Sequence, residues 1–245
     1  MSMTLSVTGI AAAFSALSGG LFSGGLHAIS GPDHLAALIP KCCGQRWYKA
    51  GRIGILWGMG HGVSATMLGV AAFALKNRLP EKMGGILHGA SSTMEIAIGL
   101  SLVLIGCLGI RESGEWEQDL QNSYTNGGSP QSLSAAAVPD PEASVRVQGK
   151  RAVVLNGILH GFSWDGAPSL APALAVATWR GSLTFLFAYA LGTMAAMAVA
   201  TVAIGEGTRR AGQILHRPDV PQKVSFFSSW VAIAVGLFWI RLAFV

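Results

Sequence analysis

The chain has 245 residues, of which 51% are hydrophobic and 12% charged, with a formal net charge of +5. Soluble domains carry roughly 25% charged residues, so this composition excludes an ordinary soluble domain and predicts an all-α integral membrane protein. The positive charge is typical of loops that flank a bilayer, and we expect no nucleic-acid partner.

Six stretches are apolar over a length that suffices to cross a bilayer as a helix, which takes about 20 residues. In chain order they are 7–29 with an extension to about 40, 53–75, 84–109, 152–177, 182–204 and 225–244. The polar connection between the third and fourth stretches is rich in Gly, Ser and Pro, which predicts a flexible linker. The chain therefore divides into a first three-helix repeat (1–110), a linker (111–150) and a second three-helix repeat (151–245).

The basic residues predict how these spans are oriented. Twelve of the 17 Lys and Arg residues lie in the connections after the first, third and fifth spans. The positive-inside rule places these connections on the inner side of the membrane. The adjacent Cys42 and Cys43 lie in the first of them, where we expect reduced thiols.

The end of the first span carries polar residues within the stretch "GLHAISGPDHLAAL". On a continuous helix His27 and His34 would be about 10 Å apart, at roughly 1.5 Å per residue. One ion cannot bind both at that distance, because metal–imidazole bonds are about 2 Å long. Gly31 and Pro32 predict a helix break near residues 30–33, because Gly tolerates almost any φ and Pro lacks a donor. The break would let the two imidazoles converge.

Two further residues extend this candidate site. Asp33 adds a carboxylate beside His34, and imidazole with carboxylate suits divalent nickel, cobalt or zinc. The alternative is a pair of hydrogen-bonded histidines near the membrane interface, which the proline break and a second copy of the motif disfavour. The next span holds His61 in a stretch where glycine recurs every fourth residue from Gly54 to Gly62. This spacing permits close helix packing, which we expect to bring His61 to the first span as a further ligand.

The second half of the chain repeats the first in three places, in the same order and at nearly equal separations. The segment "LHAISGPDHLAAL" from Leu26 matches "LHGFSWDGAPSLAP" from Leu159. Further along, "GHGVSATMLGVAA" from Gly60 matches "GTMAAMAVATVAI" from Gly192, and "SSTMEIAIGL" from Ser91 matches "SSWVAIAVGL" in the last span. Since each copy has three spans, the second inserts upside down. A 3+3 inverted repeat with broken helices is typical of transport sites near the bilayer midplane.

The second copy predicts a break near residues 165–168, with Gly166 and Pro168 as the breaking residues. An intramembrane carboxylate such as Glu95 indicates a ligand or a proton carrier. The polar residues of the second repeat could line the same pathway or serve as a scaffold, and both interpretations stay open. The candidates for the pathway or a second-copy site are Ser30, Glu95, His160, Ser163 and Asp165.

At these residues the chain resembles the nickel/cobalt transporter superfamily, and more closely its urease-accessory-type membrane domain branch, which includes plastid forms in plants and algae. Classical members carry H-x4-D-H in an early span, and this chain has H-x5-D-H from His27 to His34, followed by the Gly60-His61 pair. The resemblance implies metal-binding roles for His27, Asp33, His34 and His61. It is compatible with a plastid membrane or a bacterial inner membrane.

The leading hypothesis is a multi-pass transporter, not an enzyme, for a divalent transition-metal cation, nickel or cobalt. The ion would be the transported substrate, and we expect no permanently bound cofactor and no partner besides the ion and the lipid bilayer. One alternative is an intramembrane metal-dependent hydrolase, although the sequence lacks an H-E-x-x-H motif. Another is an assembly or scaffold protein with a vestigial metal site. The oligomeric state stays open.

Overall fold

The computed structural model of the protein describes residues 7–75, 84–125, 150–163, 167–176, 178–217 and 219–244. Within these ranges the regular structure is entirely helical, as predicted. The helices are α1 (Val7–Ser30), α2 (Pro32–Cys42), α3 (Trp47–Leu75), α4 (Gly84–Thr125), α5 (Lys150–Gly161), α6 (Ala167–Ala175), α7 (Trp179–Ile214) and α8 (Val220–Leu242). Five of them, α1, α3, α4, α7 and α8, are long and apolar enough to cross a membrane. Large apolar side chains such as Phe14 and Phe22 are exposed on α1, as expected of a lipid-facing surface.

The predicted interruption of the first span is present, since Gly31 alone separates α1 from α2. Its backbone is extended, with φ −71° and ψ 112°, and Pro32 follows as the first residue of α2. In the predicted fourth span, 152–177, α5 ends at Gly161 and α6 begins at Ala167. This stretch is therefore two short helices, and residues 164–166 between them lie outside the described part of the chain.

Helix α4 is longer than the predicted third span and continues through residues 111–125, part of the stretch predicted as a linker. Arg111 donates from Nε to Glu115 Oε1 at 3.1 Å, one turn further along the helix. Trp116 is buried against the rest of the protein. Pairs at this spacing and residues such as Glu, Gln and Leu favour helix even where the sequence is polar. Residues 126–149 lie outside the described residues.

Helix α7 is the central element of the described bundle and packs along both α1 and α3, while α5 packs on α3 and α4 packs on α8. The short α2 contacts α3, α4, α7 and α8. The helix that carries Asp33 and His34 is therefore surrounded by long helices.

Several of the close helix contacts at glycines come in pairs with matching positions. A Cβ on Gly24 would collide with the carbonyl oxygen of Tyr189, and a Cβ on Gly157 would collide with that of Trp57. The first internal sequence match, extended toward the N-terminus, aligns Gly24 with Gly157. The second match, extended in the same direction, aligns Trp57 with Tyr189. The two contacts therefore join equivalent positions with the two halves exchanged.

Two further sets of contacts obey the same relation. A Cβ on Gly60 would collide with the carbonyl of Val154, and a Cβ on Gly192 with that of Leu21. On α4 and α8, a Cβ on Gly99 would lie 2.5 Å from the carbonyl oxygen of Gly236, and the reverse distance is 2.6 Å. The three internal sequence matches thus coincide with three sets of reciprocal contacts.

Described residues next to the basic connections contact one another at one end of the bundle. The backbone N–H of Gly44, after α2, donates to Thr208 Oγ1 on α7 at 2.9 Å. Gln222 of α8 donates from Nε2 to the carbonyl of Ser113 on α4 at 3.1 Å. Cys43 is buried at this end, and burial raises the pKa of its thiol to about 12. The thiol therefore stays protonated near neutral pH.

Candidate metal centre

The helix break at Gly31 positions the imidazole of His34, and this position requires that residue 31 has no side chain. A Cβ on Gly31 would lie 2.5 Å from Nδ1 of His34. The φ of −71° is one that any residue adopts. Gly31 is thus needed for the space that it leaves to the imidazole, whereas the sequence argument had relied on its conformational freedom. Pro32 fits the first position of a helix because it has no N–H to lose there.

Three imidazoles converge beside this break. Candidate ligand atoms of His27, His34 and His61 lie within 4.8 Å of one another, and all three side chains are buried. The ring centroids are 5.0 Å apart for His27 and His34, and 4.8 Å apart for His34 and His61. We call these three residues the histidine cluster. Three ligands bound to one ion at about 2.1 Å lie about 3.4–3.6 Å apart, so inward movements of less than about 1 Å by each side chain would allow all three to bind one cation.

The tautomer of His34 leaves its outer nitrogen available. Nδ1–H of His34 donates to the carbonyl of Ala28 at 3.2 Å, and a carbonyl can only accept. Nε2 therefore carries the lone pair that a metal ion requires. Among the described residues, neither this Nε2 nor the ring nitrogens of His61 have a hydrogen-bond partner.

His61 reaches the cluster by a different packing from the one predicted. Gly54, Gly58 and Gly62 of α3 pack against α7, not against the first span. A Cβ on Gly58 would lie 2.8 Å from Cα of Met194, and one on Gly62 would lie 2.8 Å from Cβ of Ala190. The reason is that α7 lies along α3 and presents small or backbone atoms opposite each glycine. His61 then reaches the first-span histidines from α3 without close contact between the two backbones.

Asp33 lies between two imidazoles that come from different halves of the chain. Its Oδ2 is 3.8 Å from Nε2 of His34 and 3.8 Å from Nε2 of His160. The side chain is fully buried, and no described residue donates a hydrogen bond to either oxygen. Burying a carboxylate without compensation costs several kcal/mol. A divalent cation beside Asp33 would offset that cost.

The remaining predicted residues differ in how near they lie to the cluster. His160 joins it through Asp33, while Ser163 is buried three residues further on and its hydroxyl has no hydrogen-bond partner in the described residues. Ser30 is exposed and donates to the carbonyl of His27 at 3.2 Å. Glu95 is half-buried on α4 and does not belong to the group of metal-ligand atoms found among the described residues.

The predicted second break lies only in part within the described residues. Asp165 and Gly166 fall outside them. Pro168 is the second residue of α6, and its backbone is helical.

Trp57, to which no sequence motif points, forms one wall of the site. The ring centroid of this fully buried side chain is 5.0 Å from that of His61, 5.0 Å from that of His34 and 5.6 Å from that of His160. Its ring lies nearly parallel to the imidazole of His61, at 19°. One rigid indole therefore restricts three candidate ligands at once.

Asn156, to which no sequence motif points either, contacts Trp57 through its side chain and His160 through its backbone carbonyl. Trp57 Nε1–H donates to Asn156 Oδ1 at 2.7 Å, and Asn156 Nδ2 donates to Ser101 Oγ at 3.3 Å. Nδ1–H of His160 donates to the backbone carbonyl of Asn156 at 2.9 Å. As at His34, this bond leaves Nε2 as the lone-pair nitrogen. Outer hydrogen bonds of this kind fix the rings of metal-ligating histidines.

Tyr189 stands beside His27 as Trp57 stands beside His160. The Tyr189 and His27 rings are 6.1 Å apart and inclined by 28°. The Tyr189 hydroxyl lies 2.9 Å from Ser169 Oγ. The internal match from Gly60 to Gly192, continued upstream, aligns Trp57 with Tyr189. That alignment was the signal from which both residues could have been found.

The chain is similar to two curated proteins of Arabidopsis thaliana. It is 31% identical over 218 residues to Chloroplast protein FOR GROWTH AND FERTILITY 2, and 32% identical over 218 residues to Chloroplast protein FOR GROWTH AND FERTILITY 1. Each alignment covers 89% of this chain, and 54% and 56% of the respective relative. The chain thus spans about half the length of the curated relatives that it matches. No protein-family model and no solved structure matches it.

The donor set determines which ions the site can hold. Three neutral imidazole nitrogens with a neighbouring carboxylate suit borderline divalent ions such as nickel, cobalt and zinc. The surrounding residues are largely apolar, for example Leu38 and Met197 packed with Trp57.

Proposed function

We propose that the chain is a membrane transporter for a divalent transition-metal cation, nickel or cobalt. The observation that carries the proposal is the buried histidine cluster with Asp33 beside it, located between helices long and apolar enough to cross a membrane. Polar and ionisable groups are expensive in such a place and mark ion pathways. The ion is the substrate, and the imidazoles replace its water shell.

We further propose the 3+3 inverted-repeat architecture for this transporter. It is supported by the reciprocal contacts, in which Gly24 meets Tyr189 and Gly157 meets Trp57. Exchange of equivalent partners is the relation expected of two copies joined by a two-fold axis. In such folds the site lies between the repeats, and rocking of one against the other opens it to each side in turn.

For the location we propose a plastid membrane. The support is the word chloroplast in the names of both Arabidopsis relatives, together with the five apolar helices. The chain spans about half of each relative, so the names of the relatives support the location alone.

The proposal is tested by metal uptake into proteoliposomes that hold the purified chain and enclose a metal-sensitive dye. We expect saturable uptake of nickel or cobalt, reduced at least tenfold in His27→Ala and in Asp33→Ala. The matched control is His216→Asn, because His216 is exposed, far from the cluster in sequence, and has a φ of 51° that Asn tolerates. Uptake of neither ion by the unmodified chain, or uptake unchanged in both site variants, would refute the proposal.

A further inference from the structure

The separations around Asp33 are those of metal ligands and not those of hydrogen bonds. Oδ2 is 3.8 Å from Nε2 of both His34 and His160. Charge-assisted hydrogen bonds between nitrogen and a carboxylate are about 2.7–2.9 Å long. Two atoms bound to one ion at about 2.1 Å lie about 3.0 to 4.2 Å apart, depending on the angle at the metal. Asp33 Oδ2 is therefore placed to share an ion with Nε2 of His34 and with Nε2 of His160, and we call these three side chains the carboxylate position.

The carboxylate position and the histidine cluster overlap at His34. The His34 ring is 4.8 Å from that of His61 and 6.1 Å from that of His160, measured between centroids. Nδ1 of His34 is engaged with the carbonyl of Ala28, so Nε2 is the nitrogen that serves both sets. One lone pair binds one ion at a time. The two positions are thus alternatives for a single ion.

His160 is held in the orientation that this role requires. Its Nδ1–H is committed to the carbonyl of Asn156 at 2.9 Å, which directs Nε2 to Asp33. Trp57 and Ser101 fix the Asn156 side chain. The Trp57 ring also lies 5.6 Å from that of His160, measured between centroids, so a hydrogen bond and an aromatic contact both restrict the imidazole.

The two positions differ in charge and in their place in the chain. The histidine cluster has neutral ligands, all from the first half, whereas the carboxylate position has one anionic ligand and takes His160 from the second half. Adjacent sites that are each moderate in affinity let an ion enter and still leave. Resting on the proposed transport function, we infer that the cation passes between the histidine cluster and the carboxylate position, with His34 as the shared ligand and His160 as the ligand that receives it.

The test separates equilibrium binding from uptake in the full chain. Cobalt(II) is titrated into the protein in lipid nanodiscs and followed by its visible absorption, and cobalt uptake is measured in proteoliposomes. The variants are His160→Gln and His61→Gln, a matched pair because both remove one imidazole and keep a polar side chain. We expect His61→Gln to weaken cobalt binding at least tenfold. His160→Gln should keep the Kd for cobalt within threefold of that of the unmodified chain, and it should slow cobalt uptake at least tenfold.

A second variant keeps the test valid if His160→Gln does not fold, as judged by gel filtration and thermal melting. Asp33→Asn is isosteric and removes the charge from the carboxylate position, so it should slow cobalt uptake at least tenfold. Uptake in both variants within twofold of the unmodified chain would overturn the inference. Equal loss of binding in His160→Gln and His61→Gln would also overturn it, because it indicates one site with all five ligands. An unmodified chain that neither binds nor transports cobalt refutes the proposed function itself, which distinguishes the two failures.

Discussion

The two halves of the chain pack around the site through equivalent backbone contacts, but they carry different side chains there. Gly24 and Gly157 make equivalent contacts with the carbonyls of Tyr189 and Trp57. At the position equivalent to His61, however, the second half has Thr193, whose hydroxyl is used within the packing, at 3.2 Å from the carbonyl of Gly24. Backbone packing is shared by the halves, whereas among the described residues the candidate metal ligands lie in the first half except for His160.

The largest expected effect comes from removing the ligand that both positions share. His34→Ala should lower cobalt affinity by more than about 100-fold, since loss of even an outer hydrogen-bonding partner of a ligand costs about 10–100-fold. Uptake should fall to the background of empty liposomes. Cobalt titration and proteoliposome uptake measure the two quantities.

The matched control for His34→Ala is again the exposed His216, as His216→Asn, which should leave both quantities unchanged. If the cobalt affinity of His34→Ala stayed within tenfold of that of the unmodified chain, the histidines of the first half would not be the main ligands. The two halves would then differ in sequence but not in their contribution to cobalt binding.

The next effect tests the shared packing. Gly24→Ala and Gly157→Ala each place a methyl group against a backbone carbonyl that cannot move aside. Overpacking of this kind costs about 1–3 kcal/mol. We expect both variants to lower the midpoint of thermal unfolding in detergent by similar amounts, because the two contacts are equivalent.

Gly207→Ala provides the control for these glycines, because a Cβ there has nothing within 4 Å. In a helix this change should be neutral or stabilising by up to about 1 kcal/mol. A large loss of stability for one of Gly24→Ala and Gly157→Ala with none for the other would show that the packing, too, differs between the halves.

Much of the fold follows from composition and from the spacing of a few residues. Apolar stretches located the helices, and Gly31-Pro32 located the break between α1 and α2. The polar composition of residues 111–125 was misleading, because polarity does not oppose a helix when Arg111 and Glu115 pair and Trp116 is buried. Local composition cannot reveal such tertiary burial.

The site was accessible from sequence where chemistry is unusual and inaccessible where it is ordinary. Histidines and Asp33 in an apolar stretch stand out. Trp57 and Asn156 do not, because an aromatic residue and an amide are common at interfaces between helices. Their role arises from contacts between α3 and α5, which no spacing within one segment specifies. The glycine pattern predicted a close contact for α3 correctly, but the partner, α7, was a matter of three-dimensional packing.

The smallest effect concerns the two aromatic residues that occupy equivalent places. Trp57→Phe removes the N–H that Asn156 accepts, and Tyr189→Phe removes the hydroxyl beside Ser169. Each change should cost about 1 kcal/mol in unfolding free energy, the usual net value of a hydrogen bond. Only Trp57→Phe should also weaken cobalt binding, since Trp57 packs on His34 and His61. Tyr189→Phe thus serves as the control, and an equal loss of affinity in both variants would mean that the second half contributes to the ion site as strongly as the first.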